Sequence, residues 1–197
     1  AWSGFCVAET CAGIRPYVLN SALVTIPATI FSTLLGAIAG YAVSLWRFRG
    51  DSWIYGIVTL GIFLPQQMRL LPWTIVLRDT GLINTLLEAL HVIRAPLPLL
   101  FNDGAVVLGL VYGFLPFMVL PLYATLEKLD PALLDAAFDL GATPWIALWR
   151  VAVPLSRSGI AAGCVLVFIP CLGAYLTPDL MGGGKTVMLG NLIQSQF

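Results

Sequence analysis

Residues 104–126 read GAVVLGLVYGFLPFMVLPLYATL and contain no charged side chain. A helix needs roughly 20 apolar residues to cross a hydrocarbon core of about 30 Å, so this run is long enough to span a membrane. Three further runs, residues 16–46, 52–68 and 158–178, are also free of charge. Together the four runs predict an all-α fold, a polytopic transmembrane helical bundle.

The composition of the whole chain supports the same interpretation. Of 197 residues, 59% are hydrophobic and only 10% are charged, whereas a soluble domain has about 25% charged residues. The low content of charged residues also excludes a disordered chain. Ten basic and ten acidic side chains balance, which argues against a basic surface that binds nucleic acid.

We predict one transmembrane domain over residues 1–197, with spans at about 20–46, 53–77, 104–126 and 158–178. The loops 47–52 and 127–157 then share one membrane face. They contain Arg47, Arg49, Lys128, Arg150 and Arg157, five basic residues against four on the other face. The positive-inside rule favours a cytoplasmic location for both loops. No signal peptide is evident, and we expect the chain to be part of a larger membrane protein.

The loop 127–157 predicts two short helices joined by a turn. Asp130 and Pro131 are typical of a helix start, and Gly141 of a left-handed helix end. Thr143 and Pro144 repeat the start signal, and Pro154 is expected to limit the second helix. We expect the second helix to expose Trp145, Leu148 and Trp149. Such a surface fits either an interfacial helix in the lipid headgroups or a docking site for a protein.

The motif Asp135-Ala136-Ala137, followed by Gly141-Ala142 and by Pro154-Leu155-Ser156, resembles the EAA loop of the permease subunits of binding-protein-dependent ABC importers. The resemblance implies that this cytoplasmic loop is the coupling helix that contacts the ATPase. Its ATPase-coupling residues would be Asp135, Ala136, Ala137, Gly141, Ala142 and Pro154. The motif's leading acid is glutamate, so Asp135 is one methylene shorter here.

The resemblance also implies a set of partners. These are cytoplasmic ATPase subunits, a second homologous permease subunit, a periplasmic solute-binding protein and the lipid bilayer, with no nucleic acid. It places the chain as a multi-pass protein in the bacterial inner (plasma) membrane. ATP hydrolysis would belong to the separate ATPase subunit, so we expect no enzyme activity, catalytic residue or cofactor in this chain. A non-transport membrane scaffold and a nonfunctional fragment remain alternatives.

Two parts of the chain suggest different solutes. The N-terminal part, from Asn20, resembles sugar permeases of this superfamily. The part that begins at LRDTGLINTLL, residues 77–87, resembles spermidine/putrescine permeases, and the junction between the two falls near residues 73–82. Because the second part is longer, polyamine uptake is favoured, and sugar uptake is the alternative.

Polar and aromatic side chains within the apolar runs are candidates for lining a transport pathway. Polar groups at membrane depth are costly and are often functional, and aromatic faces bind cations or stack on sugar rings. The candidates are Gln66, Gln67, Arg69, Trp73, Tyr112, Phe117 and Tyr175. For the aromatic residues, helix packing or anchoring at the membrane interface is an alternative role. Arg69 could also extend its side chain to the outer headgroups.

Other motifs carry less information. Gly184-Lys185-Thr186 is similar to the end of a Walker A loop, but Asp179 stands where that motif needs its first glycine. His91 is the only histidine and has no nearby metal-ligand set. Cys6 and Cys11 could form a disulfide or stay free thiols. Three glycine pairs, 36/40, 109/113 and 159/163, predict close helix packing.

Overall fold

The computed structural model describes residues 14–45 and 63–196. Within these residues every regular element is helical, which confirms the all-α fold class. The helices are α1 (Arg15–Leu45), α2 (Gln66–Val76), α3 (Leu82–Ala89), α4 (Asp103–Leu126), α5 (Pro131–Asp139), α6 (Pro144–Ala147), a π-helical turn (Leu148–Ala152), α7 (Val153–Leu155), α8 (Arg157–Leu172), α9 (Leu176–Gly182) and α10 (Leu189–Gln194). Cys6, Cys11, the loop 47–52 and the first part of the predicted span 53–77 lie outside the described residues.

Two helices in the described part are long and apolar enough to cross a membrane, namely Arg15–Tyr41 within α1, and α4. A third span is possible if Pro144–Leu155 and Arg157–Leu172 count as one, although they are bent by 77° at their junction. The predicted span 158–178 is not one helix, because α8 ends at Leu172 and α9 begins at Leu176. Pro170 removes a backbone donor just before this break. The four-span arrangement remains a prediction.

The described residues form two compact units. The first unit comprises residues 14–28, 65–113 and 168–196, and the second comprises 29–45, 63–64 and 114–167. Three helices, α1, α4 and α8, therefore contribute residues to both units.

In the second unit, glycines on α1 and α8 pack against one face of α4. A Cβ atom added to Gly36 would lie 2.9 Å from Cγ of Met118, and one added to Gly163 would meet the sulfur of the same methionine. At Gly159 an added Cβ would meet the Thr125 hydroxyl and the carbonyl oxygen of Pro121. Small residues thus permit the close helix approach that the glycine pairs 36/40 and 159/163 predicted.

In the first unit, α2 and α9 pack together, and both contact α4. Leu70 of α2 is fully buried. An added Cβ at Gly109 of α4 would meet Met181, Thr177 and Leu70, whereas at Gly113 the nearest atom is Nε2 of Gln66 at 3.8 Å. Close packing at the third glycine pair is therefore confirmed at Gly109 but not at Gly113.

Candidate functional site

Helix α5 of the loop is bounded by the caps that its sequence predicts. The carboxylate of Asp130 accepts a hydrogen bond from the backbone N–H of Ala132 (3.0 Å), and Pro131 occupies the first helical position. Asp130 thereby satisfies one of the backbone donors that a helix start leaves unpaired.

The end of α5 accounts for three residues of the family motif. Gly141 has φ +82°, and its N–H donates to the carbonyl of Phe138 (2.8 Å). The N–H of Ala142 donates to the carbonyl of Ala137 (3.0 Å). These two bonds form a Schellman motif, which ends a helix with a left-handed residue. Ala137, Gly141 and Ala142 therefore set the direction in which the chain enters the next helix.

The second helix of the loop starts as predicted but is less regular. Thr143 accepts a hydrogen bond from the N–H of Ile146 (3.4 Å). The helix then widens into the π-helical turn, in which the N–H of Val153 donates to the carbonyl of Leu148, five residues earlier. Pro154 lies inside the short helix α7 rather than at its end, and the helical segment ends at Leu155. A π turn accommodates a proline because not every residue needs the usual i to i−4 bond.

The base of the loop is buried in the second unit. The hydroxyl of Tyr41 donates to the carbonyl of Pro144 (3.0 Å). Leu148 is only 3% exposed and belongs to a core cluster with Tyr41, Leu122 and Leu126. The prediction that Leu148 is exposed was wrong, because the side chain faces α1 and α4 rather than solvent. This core anchors the loop to two long helices.

The outer side of the loop carries an apolar surface. Leu140 is 89% exposed, Trp145 is 60% exposed, and Trp149 is half-exposed. We call these three residues, with the exposed Ile146, the docking surface. Asp135 and Ala136 are also exposed, as is Pro154. Exposed aromatic side chains of this size are unusual for a solvated loop and are typical of an interaction site.

A second cluster lies in the first unit, along one side of α2. Nε2 of Gln66 donates to the Thr177 hydroxyl (3.1 Å), and Nη1 of Arg69 donates to the carbonyl of Gly113 (2.9 Å). The rings of Trp73 and Tyr112 meet edge to face, with centroids 5.6 Å apart. Positions 66, 69 and 73 share one helix face, which explains why α2 presents all three to its neighbours.

Arg69 is directed towards α4. Pro116 has no N–H, so the carbonyl of Tyr112 has no helical donor, and the adjacent Gly113 carbonyl accepts the bond from Arg69. Nε of Arg69 is buried and has no hydrogen-bond partner among the described residues. The guanidinium is therefore held by a backbone oxygen inside the protein.

The structure thus brings together four of the seven predicted pathway residues: Gln66, Arg69, Trp73 and Tyr112. Gln67 is exposed on another side of α2, and Tyr175 is exposed at the start of α9. Phe117 belongs to the second unit, where its ring lies 6.1 Å from that of Phe114. Thr177, which binds Gln66, was not among the predicted residues, because its only signal in the sequence is a hydroxyl within an apolar run.

Comparison with known proteins identifies the family. The family model described as "Binding-protein-dependent transport system inner membrane component" matches residues 32–196. The spermidine/putrescine transport system permease protein PotB of Haemophilus influenzae is 38% identical over 180 residues, which are 91% of this chain and 63% of that protein. PotB of Escherichia coli is 36% identical over 188 residues, 93% of this chain and 68% of that protein.

A more distant relative is named for the uptake of a sugar, diacetylchitobiose. The diacetylchitobiose uptake system permease protein NgcG of Streptomyces coelicolor is 29% identical over 87% of this chain and 51% of its own length. The chain spans less than two thirds of the Haemophilus influenzae relative. The matches to the PotB proteins cover more than nine tenths of this chain, so they extend across residues 73–82 into the part that resembled sugar permeases. The predicted resemblance is confirmed: the chain belongs to the inner membrane components of binding-protein-dependent transport systems.

Proposed function

We propose that the chain is a permease subunit of an ATP-driven importer that takes up polyamines. The support is its family and its 36–38% identity to spermidine/putrescine permease proteins over most of its length. ATP hydrolysis takes place in separate cytoplasmic ATPase subunits. A second, homologous permease completes the pathway, and a periplasmic solute-binding protein delivers the solute.

The structural observation that supports coupling to an ATPase is the docking surface on its buried base. Leu140 and Trp145 are exposed, whereas Leu148 and the Tyr41–Pro144 hydrogen bond fix the loop to the core of the second unit. An apolar surface on a rigid base suits a partner that pushes on it, because movement then passes to the helices instead of being lost in the loop. The partner in this proposal is the ATPase subunit.

The motif residues divide into two roles in this proposal. Asp135 and Ala136 are exposed and contact the ATPase directly. Ala137, Gly141 and Ala142 form the helix stop that orients the docking surface. Pro154 lies near the end of the loop, just before the 77° bend between Pro144–Leu155 and α8. When ATP binding closes the ATPase subunits, the two coupling loops of the permease pair move together, and the pathway changes from inward- to outward-facing.

The solute pathway of the proposal includes the polar side of α2. Trp73 and Tyr112 offer aromatic faces to the amines of a polyamine. Arg69 keeps its positive charge while Nη1 donates to the Gly113 carbonyl, so the amines would bind at the rings and not beside the guanidinium. Gln67, Phe117 and Tyr175 remain predicted pathway residues. A sugar could stack on the same rings, and this keeps sugar uptake as the second candidate.

The proposal is tested by uptake in proteoliposomes that contain the full transporter with its ATPase and solute-binding protein. We expect ATP-dependent accumulation of labelled spermidine or putrescine and none of labelled diacetylchitobiose. Trp145→Ser should abolish both uptake and solute-stimulated ATP hydrolysis. The matched control is Ile193→Ser, which removes an apolar side chain of similar exposure outside the loop. If only the sugar accumulates, sugar uptake replaces polyamine uptake as the proposed function. If neither solute accumulates in an ATP-dependent way, a scaffold or a nonfunctional fragment is favoured.

A further inference from the structure

The short helix α3, between α2 and α4, exposes a row of leucines. Leu82, Leu86 and Leu90 are spaced four residues apart and are 69%, 57% and 63% exposed. Residues at this spacing lie on one side of a helix. Val92, just beyond the helix, is exposed as well. We call Leu82, Leu86 and Leu90 the leucine row.

The opposite side of α3 is anchored by a buried amide. Asn84 is fully buried. Its side chain donates to the carbonyl of Leu97 (2.9 Å) and accepts from the N–H of Leu97 (3.0 Å), and it also donates to the carbonyl of Arg78 (3.3 Å). Three bonds from one side chain close residues 78–97 into a compact loop. Because this loop fixes the rotation of α3, the leucines are exposed by its architecture and not by a loose chain end.

The position of α3 along the chain keeps it close to α2 and α4. Five residues separate Val76, the end of α2, from Leu82. At about 3.3–3.6 Å per residue they span at most about 20 Å. The loop returns at Asp103, the first residue of α4, and residues 104–126 of that helix carry no charge. The N–H of Phe101 donates to the carbonyl of Met181 (2.9 Å) beside that point. The loop thus leads from α2 directly into α4, which is long and apolar enough to cross a membrane, in a member of an inner membrane family.

We propose that α3 lies in the interfacial layer of the bilayer at the N-terminal end of α4. The leucine row contacts lipid acyl chains there, and the exposed Arg78 and Arg94 at the two edges of the loop lie near lipid phosphates. An arginine side chain can extend its guanidinium to the headgroups while a neighbouring apolar helix face contacts the acyl chains. The inference rests on the membrane location of the family and not on the proposed transport cycle.

Lipid fits the leucine row better than a solute-binding protein does. A solute-binding protein that leaves in every transport cycle would return these side chains to water. Lipid covers them permanently. Loops that face water also need no apolar row, and residues 78–101 already bury their own core through Asn84 and Leu100.

Photocrosslinking in native membranes tests this inference. The photoreactive residue p-benzoylphenylalanine replaces Leu86 in one full-length protein and Glu88, exposed and two residues on, in the matched control. After illumination of cells grown with radioactive phosphate, we expect several-fold more labelled phospholipid adduct at position 86 than at position 88. Replacement of Leu90 gives a second, independent position for the same comparison. Equal lipid labelling at Glu88, a protein adduct at position 86, or no adduct at positions 86 and 90 would overturn the inference.

Discussion

Replacing Gly141 with alanine tests how the helix stop contributes to coupling. Gly141 has φ +82°, and an added Cβ would meet nothing within 4 Å. The whole cost therefore comes from the backbone, since a left-handed conformation costs a residue with a Cβ about 1–2 kcal/mol. That energy shifts the equilibrium between the formed and the unwound stop by about 5- to 30-fold. We expect Gly141→Ala to disorient the docking surface and to lower uptake per ATP hydrolysed.

The assay measures labelled polyamine uptake and ATP hydrolysis in the same proteoliposomes, and reports their ratio. Gly141→Asn should retain most of the ratio, because asparagine tolerates the left-handed region. Gly184 is the matched control, with φ +76° and nothing within 4 Å of an added Cβ. Gly184→Ala carries the same backbone cost outside the loop and should leave the ratio unchanged. An unchanged ratio in Gly141→Ala, or an equal fall in Gly184→Ala, would refute the reasoning.

Three further predictions concern packing and anchoring. Gly159→Ala should lower the stability in detergent by about 1–3 kcal/mol, because the added Cβ meets α4. Gly113→Ala, where the added Cβ has space, should not lower it. Equal losses in the two variants would contradict this prediction. Tyr41→Phe removes the hydrogen bond to Pro144, worth about 1 kcal/mol, and should make proteolysis within the loop several-fold faster. Arg69→Ala should lower the melting temperature by losing a charged hydrogen bond, worth about 1.5–3 kcal/mol, and Arg69→Lys should restore part of it. An unchanged proteolysis rate, or equal losses in both arginine variants, would contradict these two.

The parts of the coupling loop that sequence predicted correctly are those decided by neighbouring residues. Asp130 and Thr143 cap helices, and Gly141 ends one, because these effects depend on backbone groups two to five residues away. The exposure of Trp145 and Trp149 was also predicted correctly. Charge-free length likewise fixed the bounds of α4 to within one residue.

The parts that sequence did not predict depend on contacts between distant residues. An apolar residue such as Leu148 can lie on the buried or on the exposed side of a short helix. Only the positions of α1 and α4 decide that Leu148 is buried. The acceptor of Arg69 is a backbone oxygen 44 residues away, which no side-chain pattern indicates. The break after Leu172 occurs within an apolar run whose length alone predicted a continuous span. In each case the missing information is tertiary.

Crosslinking from Leu140 tests the central claim most directly. This side chain is 89% exposed, so a cysteine there can carry a photoreactive thiol reagent without disturbing the core. In inner-membrane vesicles that contain the full transporter, we predict that illumination joins position 140 to the ATPase subunit. Adducts to lipid alone, or to a protein on the periplasmic side, would contradict the assignment of residues 127–157 as the ATPase-coupling loop.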